Sequence, residues 1–170
     1  MKQEFVRELF IYENGALYWK PRPLSEFRSY AAYCMWNKRY AGRKAGCQNG
    51  RGYWRVAIHK RTYFVHRIIW LYHFGYTPET IDHINGNPSD NRLENLRAAT
   101  ITENRWNSRR LKDTTTNVKG VYKRSDNAYE AHICTNYKRL YLGRFVCKRD
   151  AIAAVTAARK ALHKTFARDS

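Results

Sequence analysis

Four residues of this chain carry groups suited to chemistry on a phosphate: Asp82, His83, Asn95 and Asn104. Asp82 and His83 adjoin in Ile81-Asp82-His83-Ile84-Asn85-Gly86-Asn87, and Asn95 follows in Asn91-Arg92-Leu93-Glu94-Asn95-Leu96-Arg97. Neighbouring side chains on a strand point to opposite faces, so a kink or loop must bring the carboxylate and imidazole to one place. Thr100-Ile101-Thr102-Glu103 has the form of a capping box. A helix should therefore begin there, carry Asn104 in its early part and run to about Arg110. A helix start holds partial positive charge and suits a phosphate. The spacing can gather one carboxylate, one imidazole and two amides at the mouth of a strand–loop–strand–helix unit. An Asp-His pair alone reads by default as a surface turn. The register with Asn95, the capping box and Asn104 favours catalysis.

The elements that must hold this group follow from pattern. Leu17-Tyr18-Trp19 after Asn14-Gly15 and the Tyr53–Ile58 and Thr62–Val65 runs around His59-Lys60-Arg61 predict short strands and a hairpin. Residues 25–45 have weak periodicity and receive no assignment. His66 to Phe74 is an apolar helix closed by Gly75. Residues 81–97 read as two extended pieces around a polar loop, in which Asn85 and Asn87 serve as turn residues with left-handed backbone. His66 reads either as a buried, hydrogen-bonded histidine beneath the site or as a phosphate contact. Beyond a polar stretch at 112–117, the period changes to two and predicts strands at about 120–124, 129–135 and 139–145. Asp150 to His163 alternates at helical spacing with Ala151, Ala154, Val155, Ala158 and Leu162 on one face. A sheet packed on that helix would leave its other side free, basic and aromatic.

Composition narrows the classes. The chain has 170 residues, 32 Lys+Arg and 14 Asp+Glu, so 32 − 14 gives +18. Residues 1–60 carry 12 − 4 = +8, residues 61–117 carry 8 − 6 = +2, and residues 118–170 carry 12 − 4 = +8. A nearly neutral centre between two basic flanks fits a chemical core held by arms that grip a polyanion. Hydrophobic content of 44% excludes a wholly disordered basic tail. No apolar run is long enough to span a membrane, and the start Met1-Lys2-Gln3-Glu4 lacks a secretory signal's apolar stretch. The four cysteines form no C-x-x-C pair and are expected to act as small hydrophobes. A reduced, cytoplasmic protein is expected.

Residues 63–107 resemble the HNH endonuclease family with the ββα-metal fold, in its phage-borne and homing-type form. Val65-His66-Arg67, Asp82 to Asn87, Asn91 to Arg97 and Glu103-Asn104 carry the likeness. It implies a metal-dependent nuclease in which His83 is the first histidine of the motif and takes a proton from the attacking water. Asp82 and Asn104 would be hard oxygen ligands to one Mg²⁺ or Mn²⁺ per active site. Asn95 would hold the loop and orient His83, and His66 would lie beneath the site. Products would be a 5′-phosphate and a 3′-hydroxyl. Asn104 stands where the family's last histidine often falls, which weakens any case for Zn²⁺.

Residues 120–167 resemble the AP2 DNA-binding domain, through Gly120-Val121, Tyr129 to Ile133, Leu140 to Phe145 and the alanine-rich helix. In that family a three-stranded sheet lies in the major groove. The positions carried over are Lys119, Tyr122, Arg124, His132, Arg139 and Tyr141. Tyr122, Asp126, His132 and Cys134 depart from the plant pattern, so its target sequence does not transfer. Arg105, Arg109 and Arg110 extend the capped helix and either track a phosphate backbone or form a solvated helix end. Arg39, Arg43, Lys44, Arg51 and Arg55 interleave with Tyr40, Tyr53 and Trp54 in a pattern that suits nucleic acid.

The expected architecture is α+β: a β-rich N-terminal DNA-binding region (1–60), an HNH core (61–111), a linker (112–118) and an AP2-like domain (119–170). The expected function is nicking of double-stranded DNA by a monomer. The rival is a sequence-specific DNA-binding regulator on a decayed nuclease core, and a third reading is an RNA-directed protein.

Overall fold

The computed structural model describes residues 1–107, 115–124, 127–135 and 137–166. The fold is α+β. In chain order come α1 (Gln3–Leu9), β1 (Phe10–Glu13), β2 (Ala16–Trp19), α2 (Tyr30–Tyr40), β3 (Cys47–Gln48), β4 (Trp54–Ile58), β5 (Arg61–Phe64), α3 (Val65–Phe74), β6 (Thr80–His83), β7 (Leu96–Ala99), α4 (Ile101–Asn107), β8 (Val121–Lys123), β9 (Tyr129–Thr135), β10 (Lys138–Phe145) and α5 (Lys148–His163). The chain divides into two compact units, Met1–Ala98 and Ala99–Ser170. The division falls within the 61–111 stretch, because α4 makes its described aromatic contacts with residues of the second unit.

The first unit is built on α3. Val65, His66, Ile68, Ile69, Trp70 and Leu71 are all buried. A helix apolar on almost every side must lie inside, and Val6, Leu9, Phe10, Leu17, Val56, Ile58, Ile81 and Leu96 surround it. The helix stops at Gly75, whose φ of 76° is left-handed and whose amide bonds the Leu71 carbonyl. Three small sheets, β1–β2, β3–β4–β5 and β6–β7, line this core. Both tight hairpins turn on two residues of positive φ, the requirement of a turn whose twist matches the strands. Asn14 (43°) and Gly15 (83°) join β1 to β2, and His59 (46°) and Lys60 (64°) join β4 to β5.

The N-terminal region departs from its β-rich expectation, for it also contains α1 and α2. In α1 the side chains of Val6 and Leu9 enter the core, together with Phe10 just beyond the helix. The stretch α2 has no buried residue, so hydropathy carries no signal there, and the Ser29 cap on the Ala32 amide (3.2 Å) is its local mark. All four cysteines are free, in keeping with a reduced protein, but Cys34, Cys47 and Cys134 are exposed rather than packed as small hydrophobes.

In the second unit β8, β9 and β10 form an antiparallel sheet ordered β10-β9-β8, with α5 packed on one side. Its core is small, centred on Val121, Ala131, Ala151 and Val155. The buried face of α5 drifts from the one expected. Leu162 is 41% exposed, whereas Arg159 and His163 are buried, in the four-residue spacing of Ala151 and Val155. Both polar side chains enter because backbone carbonyls receive them: Arg159 donates to the Lys119 carbonyl, and His163 Nε2 lies 3.0 Å from the Cys134 carbonyl. Gly120 (φ 85°) lets β8 approach β9, since a Cβ there would sit 2.4 Å from the His132 carbonyl oxygen. The capping box forms as expected, with the Thr100 amide bonded to Glu103 Oε2 (2.7 Å) and the Glu103 amide to Thr100 Oγ1 (3.2 Å).

The β4–β5 turn places a side-chain-bearing lysine in left-handed backbone, where glycine is free of the Cβ penalty. Lys60→Gly is expected to raise stability by about 0.5–1 kcal/mol, the left-handed penalty less glycine's added chain entropy. Urea unfolding of the two proteins reads this directly.

Candidate active site

The strand β6 ends in Asp82 and His83, both almost fully buried, and the loop 84–92 returns to the short 3-10 turn Leu93–Asn95 before β7. Asn95 closes that loop. Its Oδ1 accepts from the Asn85 amide (3.0 Å), and its Nδ2 donates to Asn85 Oδ1 (3.1 Å) and to the Asp90 carbonyl (2.7 Å). Within the loop Asn85 and Asn87 accept from the amides two residues on, at 2.8 and 3.1 Å. The positive φ expected of them belongs to Gly86 (64°), because their side chains act as turn acceptors instead. Asp90 is gripped by Arg92 through two bonds of 2.8 Å, and this guanidinium, with Asn85, holds its carboxyl down to about 2.

Two parts of the N-terminal region clasp the same loop. The Tyr12 hydroxyl accepts from the Leu93 amide (3.2 Å), and a Cβ on Gly15 would lie 2.7 Å from the Arg92 nitrogen. From the other side Gln48 Nε2 donates to Ser89 Oγ (2.5 Å), which donates to the Gly52 carbonyl (2.9 Å). Tyr12, Gly15, Gln48 and Gly52 thus support the loop, a contact that charge patterning does not reveal.

His83 is oriented by Asn91, whose Oδ1 lies 3.0 Å from its Nε2. An amide oxygen only accepts, so Nε2 bears the proton and the basic lone pair falls on Nδ1. Asn95 bonds the loop, and the direct contact to the His83 ring comes from Asn91 on that loop. Asn91 is 2% exposed and went unassigned because a polar residue inside a polar loop gives no hydropathy signal. Asp82 Oδ2 accepts from Arg97 Nε and Nη2, each at 2.7 Å, a second partner that the sequence left without a role. His66 is buried as expected. Its ring meets His83 edge-on at 5.1 Å and stacks on Phe64 at 5.5 Å, and its Nδ1 has no hydrogen-bond partner. Ring packing, rather than the expected hydrogen bond at that nitrogen, holds it. Burial above all, then His83 and Arg67, pull its pKa from 6.5 to about 3, so the ring is neutral. Asn104 lies on α4 in the second unit, its amide bonded to the Thr100 carbonyl (3.0 Å).

The donor set bears on which metal could be held. Among the described residues no three His, Cys, Asp or Glu side chains gather as a metal group. The described residues therefore offer no set of three or four His, Cys or carboxylate side chains of the kind that holds Zn²⁺.

A family model described as HNH endonuclease matches residues 63–106. Protein 3.8 of Escherichia phage T7 is 33% identical over 88 residues, 52% of this chain and 73% of that protein. The chain belongs to the HNH endonuclease family. No solved structure is a significant match. The family segment takes in β6, the loop, β7 and most of α4, so His83, Asn95 and Asn104 all fall within it.

The candidate DNA-contacting residues lie in the second unit of this HNH protein. Tyr122, His132 and Tyr141 share one sheet face, with His132 5.6 Å from Tyr122 and 5.2 Å from Tyr141. Arg139 lies over the Tyr122 ring at 4.8 Å. Arg124 and His132 both engage Glu130, and the Arg124 hydrogen bond in particular holds that carboxyl below its usual range. Lys119 departs from this face, its Nζ donating to the Arg105 and Trp106 carbonyls at 3.2 and 3.1 Å. Arg105 lies over the Tyr137 ring at 6.0 Å. Arg109 and Arg110 lie outside the described residues. No helix among the described residues is long and apolar enough to cross a membrane.

Two outcomes test this geometry. Asn95→Ala leaves two loop groups and a buried carbonyl without their partner and should cost about 2–4 kcal/mol of stability in urea unfolding. His66 makes stability depend on acid. Its folded pKa is depressed, so the unfolded chain binds the proton first, and stability present above pH 6.5 is lost as pH falls toward 3. Between pH 6.5 and 5 that loss amounts to about 2 kcal/mol, and His66→Leu should show correspondingly less acid sensitivity in the same unfolding experiment.

Proposed function

We propose that the chain is a metal-dependent endonuclease that hydrolyses phosphodiester bonds in double-stranded DNA. The observation that carries this reading is His83 held through Nε2 by Asn91, beside Asp82, inside the segment that matches the HNH family. His83, held by Asn91, takes a proton from a water as that water attacks phosphorus. Asn95 keeps the loop closed so that His83 stays in place. Arg97 neutralises part of the Asp82 charge and fixes its carboxylate plane. Asp82 and Asn104 would hold Mg²⁺ or Mn²⁺, one per active site, which when bound polarises the phosphate and stabilises the departing 3′ oxygen. The products are a 5′-phosphate and a 3′-hydroxyl.

The enzyme nicks one strand, as befits a monomer with a single centre. It acts in the cytoplasm of a host cell, a reading that draws on the phage relative. We divide it by role into the N-terminal region 1–60, the nuclease core 61–111, a linker 112–118 and a DNA-gripping domain 119–170. We read the last as AP2-like, a reading supported by three strands against one helix. Tyr122, Arg124, His132, Arg139 and Tyr141 are the sheet residues that face DNA, and Lys119, Arg105, Arg109 and Arg110 add positive charge along the approach.

One observation favours a second reading, a DNA-binding regulator without chemistry: Asp82 is 4% exposed and already joined to Arg97. Plasmid cleavage separates the two. Wild-type protein with Mg²⁺ should convert supercoiled DNA carrying the gene's own flanks to open circles, and His83→Ala should lower the rate at least about 100-fold, the contribution of a general base, with binding intact. Tight binding with no cleavage in Mg²⁺ or Mn²⁺ would favour the regulator.

A further inference from the structure

The second unit contains a cavity of about 310 Å³ that the nuclease chemistry does not use. It lies within that unit alone, among α4, the β9–β10 end of the sheet and the last turns of α5. Its volume sits at the small end of the range for small-molecule sites, about 300–1,000 Å³. Of the cations in its described lining, Lys119 and Arg159 are engaged with backbone carbonyls, Arg105 and Arg139 lie over tyrosine rings, and no carboxylate is among the described lining residues.

Its aromatic groups are arranged for a flat ligand. Trp106 and His163 stack face to face, with centroids 4.3 Å apart and planes 6° from parallel. Tyr137 stands at the mouth on the β9–β10 turn, 76% exposed, with the Arg105 guanidinium over its ring. Arg139 lines the cavity beside the exposed ring of Tyr122. Planar rings next to guanidinium groups are what a base and its phosphate together require.

His163 supplies an independent observation. It is 5% exposed, and its Nε2 faces the Cys134 carbonyl, which can only accept, so Nε2 carries the proton. Burial, the largest influence, lowers the pKa of this ring and keeps it neutral. Nδ1 is then a bare acceptor, and it is buried with no hydrogen-bond partner. A buried acceptor without a donor is costly, and the N–H edge of a nucleobase is a donor of the right kind.

We propose that this cavity receives a single unstacked nucleotide, its base among Trp106, His163 and Tyr137 and its phosphate toward Arg105 and Arg139. A nucleotide extruded from a duplex and one in a single strand share this chemistry. The nuclease reading bears only on which of these supplies it.

The test uses the full chain carrying His83→Ala, so that no DNA is cut. Deoxyadenosine and deoxycytidine monophosphate are titrated while NMR follows the Trp106 indole N–H and the His163 ring protons. Saturable shifts at both residues are expected, and Tyr137→Ala, an exposed turn position, should weaken binding about tenfold. Arg139→Ala gives a second reading, with a similar loss expected for the nucleotides. No shift with either nucleotide overturns the proposal, as does an equal shift with inorganic phosphate at the same concentration, which would make this an anion site alone. Single-stranded and duplex oligonucleotides bearing one 2-aminopurine then identify the source. Fluorescence that rises on binding the duplex, and falls again in Tyr137→Ala, assigns it to extrusion. The same Tyr137-dependent response confined to the single strand assigns it to unpaired DNA. Duplex affinity is read separately by anisotropy, so loss of DNA binding would count against the DNA-binding reading and leave the free-nucleotide result to judge the cavity.

Discussion

The closure of the 84–92 loop by the Asn95 side chain is the constraint from which the site takes its shape. One buried amide accepts from one end of the loop and donates to both ends. The loop so fixed delivers Asn91 to His83, and Asn91 sets the tautomer of the ring. Remove the closure and His83 keeps its strand but loses the partner that decides which nitrogen is basic. Asp82 gains its definition separately, from Arg97 on the returning strand. The two adjacent residues are therefore fixed by two independent partners.

The HNH segment was legible because its residues are spaced as in a recognised motif, and so were the elements with strong local signals. The α3 helix declares itself by an apolar run ending at Gly75, and α4 begins at the capping box of Thr100 and Glu103. The strands of the second sheet fall close to the expected limits because alternation is unmistakable from Tyr129 to Leu142. What stayed hidden has a common physical origin. Asn91, Arg159 and His163 are polar groups buried by specific hydrogen bonds, and hydropathy assigns such residues to the surface. The helix α2 has no buried face, and α1 is short and lacks a side-chain cap, so neither gives a strong local signal.

The second unit uses charge economically. With a core as small as Val121, Ala131, Ala151 and Val155, it leans on Arg159 and His163 reaching backbone carbonyls to join α5 to the sheet. Its aromatic face is likewise organised around ions, with Glu130 gathering Arg124 and His132 while Arg139 covers Tyr122. Net positive charge on such a unit is therefore partly structural. Counting lysines and arginines overstates what remains to meet a polyanion.

The close approach of Gly15 to Arg92 has a consequence for modularity. A hairpin tip pressed on the backbone of the 84–92 loop leaves no room for a side chain, and the Gly52 turn approaches the same loop from its other side, where a Cβ would sit 2.9 Å from Pro88. The motif therefore does not end where its signature residues end. Recombination that exchanged only the strand–loop–strand segment between relatives would produce mismatched surfaces at both contacts. A graft of the 84–92 loop would have to carry the Gly15 and Gly52 turns with it.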